Sequence, residues 1–294
     1  MQNIYRFYMV FIYKRFGDKS NRLLQNIHFE AYCKHNDIEY HNLEFYDMED
    51  FYGIKDKYSF KKIPPILLPP LNTRYAIIEG ISNLCNKLHI KNYLIYDYMD
   101  INLRENINLY DSQILANKNK TIFVSGWDFR VTNLVYQYRD YFVSKYTPIN
   151  LNSEEYNYIK NKFSDYDLKV GIHIRRGDYR GWNNGRFFYE DEVYNDKIEQ
   201  FYSLFPNKKI LFAIFSNEEI TLKPNHDYVI SKCKWHEDHS LLSLCDYIIG
   251  PPSTFTIWSS YIGNVPLYHI YSKYDIINVS NFKVKINDTP EVLD

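Results

Sequence analysis

The stretch GIHIRRGDYRGWNNGRF, Gly171 to Phe187, decides how the chain reads. Its first residues belong to a run from Lys169 to Ile174 with the length and apolar character of a buried strand. That strand delivers His173, Arg175, Arg176 and Asp178 to its carboxyl end, where open α/β sheets bind ligands. Four arginines and one aspartate between 173 and 186 make the local charge +3. A guanidinium is a planar fork that meets phosphate oxygens two at a time. Alternation along an extended chain puts His173 and Arg175 on one face and Arg176 on the other. The two adjacent arginines should therefore have different roles, one facing a ligand and the other tied to a carboxylate inside the protein. Arg176-Gly177-Asp178 also spells the integrin-adhesion tripeptide, but that use needs an exposed extracellular loop.

Downstream the alternation of strand and helix continues. Asp191–Phe205 has helical spacing, Ile210–Phe215 is a nearly all-apolar strand, and Val229–Ile230 is a short one. Ser240–Cys245 reads as a helix end, Tyr247–Ile249 as a strand entering Gly250-Pro251-Pro252, Thr254–Ile262 as a helix and Pro266–Ile270 as a last strand. Upstream, residues 5–13 form a strand, followed by a polar turn from Gly17 to Asn21 and by Leu23, Leu24, Ile27 and Ala31 at helical spacing. Asn36–Leu43, Tyr93–Tyr96 and Thr121–Val124 are further strand candidates. Four prolines make Lys61–Leu71 an irregular loop. Near Thr147-Pro148 a boundary begins, and Asn152 with Glu155 suggests a capped helix reaching Phe163. Continuous apolar strands between helices indicate parallel sheets covered on both faces. Two Rossmann-like domains are expected, at 1–165 and 166–294.

Composition narrows the function. At 294 residues, 45% hydrophobic and 24% charged, the chain is globular rather than disordered. Its 35 Lys+Arg against 36 Asp+Glu argue against a broad basic field for nucleic acid, though not against a local anionic ligand. The 30 tyrosines accompany abundant Asn, Lys and Ile, a coding bias from which no function is drawn. Cys33, Cys85, Cys233 and Cys245 lie far apart without a C-x-x-C pair, which removes zinc-site and disulfide-scaffold readings. No stretch approaches the ~20 apolar residues of a membrane span. A soluble, intracellular (cytoplasmic) protein is expected, its oligomeric state open.

The pattern H-x-R-R-G-D-Y after a strand resembles the first signature of the α1,2-fucosyltransferases, glycosyltransferase family 11, within the wider group that includes α1,6- and protein-O-fucosyltransferases. Gly17-Asp18-Lys19-Ser20-Asn21-Arg22-Leu23-Leu24-Gln25 is similar to the family's G-G-x-G-N-Q-x-x-Q, keeping the Asn and the second Gln but with Ser20 in place of a glycine. Ser125-Gly126-Trp127-Asp128-Phe129 echoes its mid-chain aromatic segment. Phe212 to Glu218 corresponds to an apolar strand ending S-D-D, with Asn217 in place of the first acid. Asp238 through Pro251-Pro252-Ser253-Thr254-Phe255-Thr256-Ile257-Trp258 matches a third signature, an acid followed by S-(S/T)-F-S-x-W. The resemblance spans residues 5–270.

That resemblance implies a GT-B-like fold, two Rossmann-like domains facing a cleft, with a GDP-sugar held by the C-terminal one. It implies Arg175 on the β-phosphate, His173 and Asp238 on guanine, and Ser253, Thr254 and Phe255 on the diphosphate, with Asn217 also counted among the residues that bind the GDP-sugar. Physical chemistry points the same way. A Ser-Thr pair between two prolines and a helix makes an N-cap, and helix N-termini attract phosphate. A carboxylate suits the N1–H and amino group of guanine. Read bare, Asp238 is equally a surface charge in the polar run His236–His239, and Ser253 a structural cap. His236, His239 and Cys233 lack the ligand set of a structural zinc, and no D-x-D motif grips Mg²⁺, so no metal is expected.

Inverting transfer of L-fucose from GDP-fucose to a glycan hydroxyl, with an α1,2 linkage, is the activity implied. Arg175 would stabilise the departing diphosphate. Asp178 is either general base or partner of an arginine. Asn21 is a sugar or acceptor contact or the cap of the first helix. Two alternatives stay open: a transferase of the same fold using another nucleotide sugar, and a catalytically silent nucleotide- or glycan-binding protein.

Overall fold

The computed structural model describes residues 9–89, 92–117 and 119–287. The chain divides into two compact units between Tyr146 and Thr147. In the first, a four-stranded sheet has the order β2-β1-β4-β3, with β1 at Met9–Ile12, β2 at Glu39–Asn42, β3 at Tyr93–Asp97 and β4 at Thr121–Ser125. All three pairings are parallel, with Met9 opposite both Glu39 and Thr121. Helices α1 (Lys19–His35), α2 (Glu49–Tyr52), α3 (Leu71–Lys87), α4 (Ile107–Gln113), α5 (Thr132–Gln137) and α6 (Arg139–Tyr146) connect or follow the strands. Of the expected first strand, residues 5–8 lie outside the described residues. The proline-rich loop holds two single 3₁₀ turns, Phe60–Lys62 and Pro65–Leu67, and then opens directly into the seventeen-residue α3, which the sequence reading does not assign.

The second unit starts with α7 (Glu154–Phe163), followed by β5 (Leu168–Ile174), α8 (Asp191–Leu204), β6 (Ile210–Ser216), β7 (Tyr228–Ile230), α9 (Trp235–Ser243), β8 (Tyr247–Gly250), α10 (Thr254–Gly263) and β9 (Leu267–His269). The sheet order β7-β6-β5-β8-β9 is all parallel. Strands that read as continuous apolar runs are buried along nearly their whole length, as a sheet covered on both faces requires. On one face Tyr194, Ile198 and Phe201 of α8 join Val170, Ile172 and Phe212 in the core. Toward α9, Gly171 makes the packing possible: a Cβ there would fall 2.5 Å from Leu242 Cδ2.

Helix α7 belongs to the second unit rather than to a first domain ending at 165. Tyr156 bonds Ser240 of α9 hydroxyl to hydroxyl at 3.1 Å, and the Ser153 amide donates to Glu237 at 3.2 Å. Its cap is Ser153, whose hydroxyl accepts from the Tyr156 amide at 3.1 Å, and not Asn152 one residue earlier. The aromatic segment after Phe129 forms two helices, α5 and α6, separated at Tyr138.

Candidate active site

Connections leave β5 for β6 on one side and, further along the chain, reach β8 on the other, so the carboxyl ends of β5 and β8 flank the topological switch point. Parallel sheets take ligands in the crevice at such a point. Two loops meet there: His173 to Asp178 after β5, and Gly250 to Ser253 after β8.

His173 is 3% exposed and stacks on Phe255 with centroids 5.1 Å apart and planes at 13°. Phe255 in turn packs against His239 of α9 at 4.0 Å. Gly250 lets β8 pass this close, because a Cβ there would meet the His173 carbonyl oxygen at 2.8 Å. Burial, with the neighbouring Arg175 charge, pushes the His173 imidazole down to about 3, so it is neutral near pH 7. Its Nδ1 is buried and has no hydrogen-bond partner among the described residues.

The two arginines separate as strand alternation requires. The Arg175 guanidinium keeps 30% of its surface, pairs with Asp178 at 2.9 Å and stands 5.7 Å above the Tyr179 ring. The Tyr179 hydroxyl donates to the Pro252 carbonyl and so ties the β5 loop to the β8 loop. Arg176 turns the other way and pairs with Asp191 at the start of α8, both side chains largely buried. Asp191 also accepts from the Thr221 hydroxyl at 2.7 Å. Asn217 accepts from the Arg176 amide at 2.8 Å, so its carbonyl oxygen supports the loop from behind.

Ser253 is the N-cap of α10, its hydroxyl accepting from the Phe255 amide at 3.2 Å. Thr254 and Phe255 fill the first turn, so the positive end of the α10 dipole faces the crevice beside Arg175's loop. The cap role does not compete with anion binding, because the remaining first-turn amides point the same way.

The run His236–His239 is not a loop. Helix α9 begins at Trp235, five residues before the expected helix end, and His236, Glu237, Asp238 and His239 are all buried. Asp238 is thus no surface charge. It accepts from the Ser231 hydroxyl at 2.5 Å, and burial raises its carboxyl to about 7, with Glu237 and Glu155 adding repulsion. Among the described residues, no three His, Cys, Asp or Glu side chains group so as to hold a metal ion.

Two residues here have no role in the sequence reading. Tyr179 lies inside the quoted motif, but a tyrosine in a chain so rich in them carries little signal. Glu237 closes the start of α9 by accepting from the Lys234 amide at 3.2 Å while its other oxygen takes the Ser153 amide. A capping-box glutamate is hard to read in this sequence because Lys234, not Ser or Thr, stands at the cap position.

Asn21 sits in the first unit, the third residue of α1, and is not that helix's cap, a place held by Asp18. Gly17, at φ +60°, lies against it, for a Cβ there would meet Asn21 Nδ2 at 2.1 Å. Four residues on, Gln25 donates to the carbonyls of Lys14 (3.3 Å) and Gly126 (3.1 Å), pinning the loops after β1 and β4 at the first sheet's own switch point.

Against known structures, the chain is similar to a point mutant of Arabidopsis thaliana FUT1 in complex with GDP, at a TM-score of 0.52 and 14% identity, over 94% of this chain and 73% of that one. It is similar also to POFUT1 in its apo form, at 0.50 and 10%, over 90% and 97%. Identities this low speak to the fold, which is α/β and GT-B-like. No curated protein sequence matches the chain. No helix among the described residues is long and apolar enough to cross a membrane. The model of glycosyl transferase family 11 matches residues 6–272. That is the family which the motifs at His173–Tyr179 and Asp238–Trp258 resemble, and the chain belongs to it as a glycosyltransferase.

Proposed function

We propose that the protein transfers L-fucose from GDP-fucose to a hydroxyl of a glycan acceptor, inverting the anomeric carbon and forming an α1,2 linkage. The observation that carries the proposal is one juxtaposition. Arg175 at the end of β5 and the α10 N-terminus at the end of β8 flank one switch point, and the buried Asp238 stands on α9 next to His239, which packs against Phe255 of α10. That set offers a cation and helix amides for a diphosphate, and an acceptor for guanine's N1–H and amino group.

In this reading Arg175 binds the β-phosphate, joined by the backbone amide of Thr254 and by the Ser253 hydroxyl, whose oxygen is held by the Phe255 amide. His173 donates or accepts through Nδ1 at the nucleoside, and Asp238 takes the guanine edge. As the acceptor oxygen attacks the anomeric carbon, the bond to the β-phosphate breaks and its electrons pass to GDP. A guanidinium already in place stabilises that charge without reorganisation. Asp178, paired with Arg175, holds the guanidinium in position, and its 59% exposed carboxylate is also the group available to accept the hydroxyl proton. No metal has a part in this scheme.

The test is a panel of nucleotide sugars with glycan acceptors, following release of free nucleotide. GDP-fucose alone should turn over. Turnover of another donor would assign the fold's chemistry to that sugar, and GDP binding without transfer to any acceptor would leave a binding protein.

A pH dependence follows from Asp238. Guanine's two N–H donors need the ionised carboxylate, whose ordinary range burial has lifted to about 7. Below that pH the proton must leave before GDP binds, so affinity should fall about tenfold from pH 8 to pH 6. Calorimetry across that range reads it directly, and Asp238→Asn should bind GDP weakly with the dependence gone. An affinity flat in pH would remove Asp238 from the guanine site.

A further inference from the structure

Of the four tryptophans, Trp182 is the most exposed, at 37%, and it stands on the loop that continues from Arg175 and Asp178. Its indole is held from beneath on two sides, by the buried Tyr179 ring at 4.8 Å and the fully buried Phe187 ring at 5.7 Å. The chain after it makes a turn that side chains rarely permit: Asn183 at φ 48°, Asn184 at φ 54° and Gly185 at φ 73° are all left-handed. Just before it, Arg180 is clamped to Glu218 by two hydrogen bonds of 2.9 Å. The fold thus fixes a large apolar ring at the surface, in a costly conformation, beside the site.

The surroundings say what it would meet. The Asp178 carboxylate, Asn184 and Arg186 are exposed around it. A flat aromatic face rimmed by charged and amide groups matches a pyranose, which has C–H bonds on one face and hydroxyls at its edge. A guanine ring would also stack, but the carboxylate suited to guanine lies with the rings on the other flank, His239, Phe255 and His173. Trp182 instead continues through Phe187 to Tyr271. From the Arg175 guanidinium the contacts pass 5.7 Å to the Tyr179 ring and 4.8 Å onward to Trp182, so the indole stands beside the site.

We propose that Trp182 is the stacking platform for a pyranose ring of the glycan acceptor. The assignment rests on the donor reading of Arg175 given above, and the experiment separates the two. The wild type, Trp182→Leu and Trp182→Phe are saturated with GDP and applied to a glycan array, with GDP affinity and melting temperature measured on the same preparations. Leucine fills the space over Tyr179 and Phe187 without a flat face, whereas phenylalanine restores one. Wild type should retain a restricted set of pyranosides. Trp182→Leu should lose at least tenfold in that signal, and Trp182→Phe should stay within about threefold of wild type, with GDP affinity unchanged in both. Retention of the full profile by Trp182→Leu, or capture of no glycan by the GDP-saturated wild type, overturns the proposal. Failure of the donor reading shows separately, as absence of GDP binding in the wild type.

Discussion

Arg175→Ala should reduce transfer by ~100-fold or more, while the melting temperature stays near that of the wild type. Removing a charge-assisted contact to a departing phosphate costs on the order of 3 kcal/mol in the transition state. Little folding energy goes with it, because the guanidinium is partly exposed and its carboxylate partner, Asp178, is more than half exposed. An exposed pair of this kind contributes at most about 1 kcal/mol to stability. Steady-state kinetics beside a thermal melt check both halves. The loss should appear in kcat and kcat/KM together, since the interaction strengthens only as charge develops on the leaving group.

Arg176→Ala should do the reverse. Its guanidinium and Asp191 are 12% and 17% exposed, so truncation leaves a largely buried carboxylate that has lost its cation and keeps the Thr221 hydroxyl as a donor. Breaking a buried pair from one side costs about 3 kcal/mol, or ~6–12 °C in melting temperature for a unit of this size. Transfer by the protein that remains folded should stay within a few-fold of wild type. Exchange of the two phenotypes would mean that the strand alternation from His173 to Arg176 assigns the faces wrongly.

The second unit is the more legible half. Its strands are continuous apolar runs, and Gly171–Asp178 carries both the strand and the residues it delivers, so period-two alternation alone separates Arg175 from Arg176. The first unit hides α3, because four prolines stand immediately before it and its spacing is obscured by a mixed apolar face. Helix α9 escapes notice for another reason. His236-Glu237-Asp238-His239 is polar in every position, and a polar run reads as loop unless something shows that it is buried. Its burial comes from packing beside α10, which follows across β8, and beside α7, which lies far earlier in sequence. The pairing of Arg175 with Asp178, three residues apart, is within reach of spacing. The bond from the Tyr179 hydroxyl to the Pro252 carbonyl, across seventy-three residues, is not.

On this reading the switch point of the second unit is a GDP site that needs no metal. Calorimetric titration with GDP and with ADP, each with and without EDTA, puts that statement to the proof. GDP should bind with one affinity in both buffers, and ADP at least ~10-fold more weakly, because adenine offers Asp238 no pair of donors on its edge. Collapse of GDP binding on chelation, or equal affinity for ADP, would be incompatible with a metal-free guanine site.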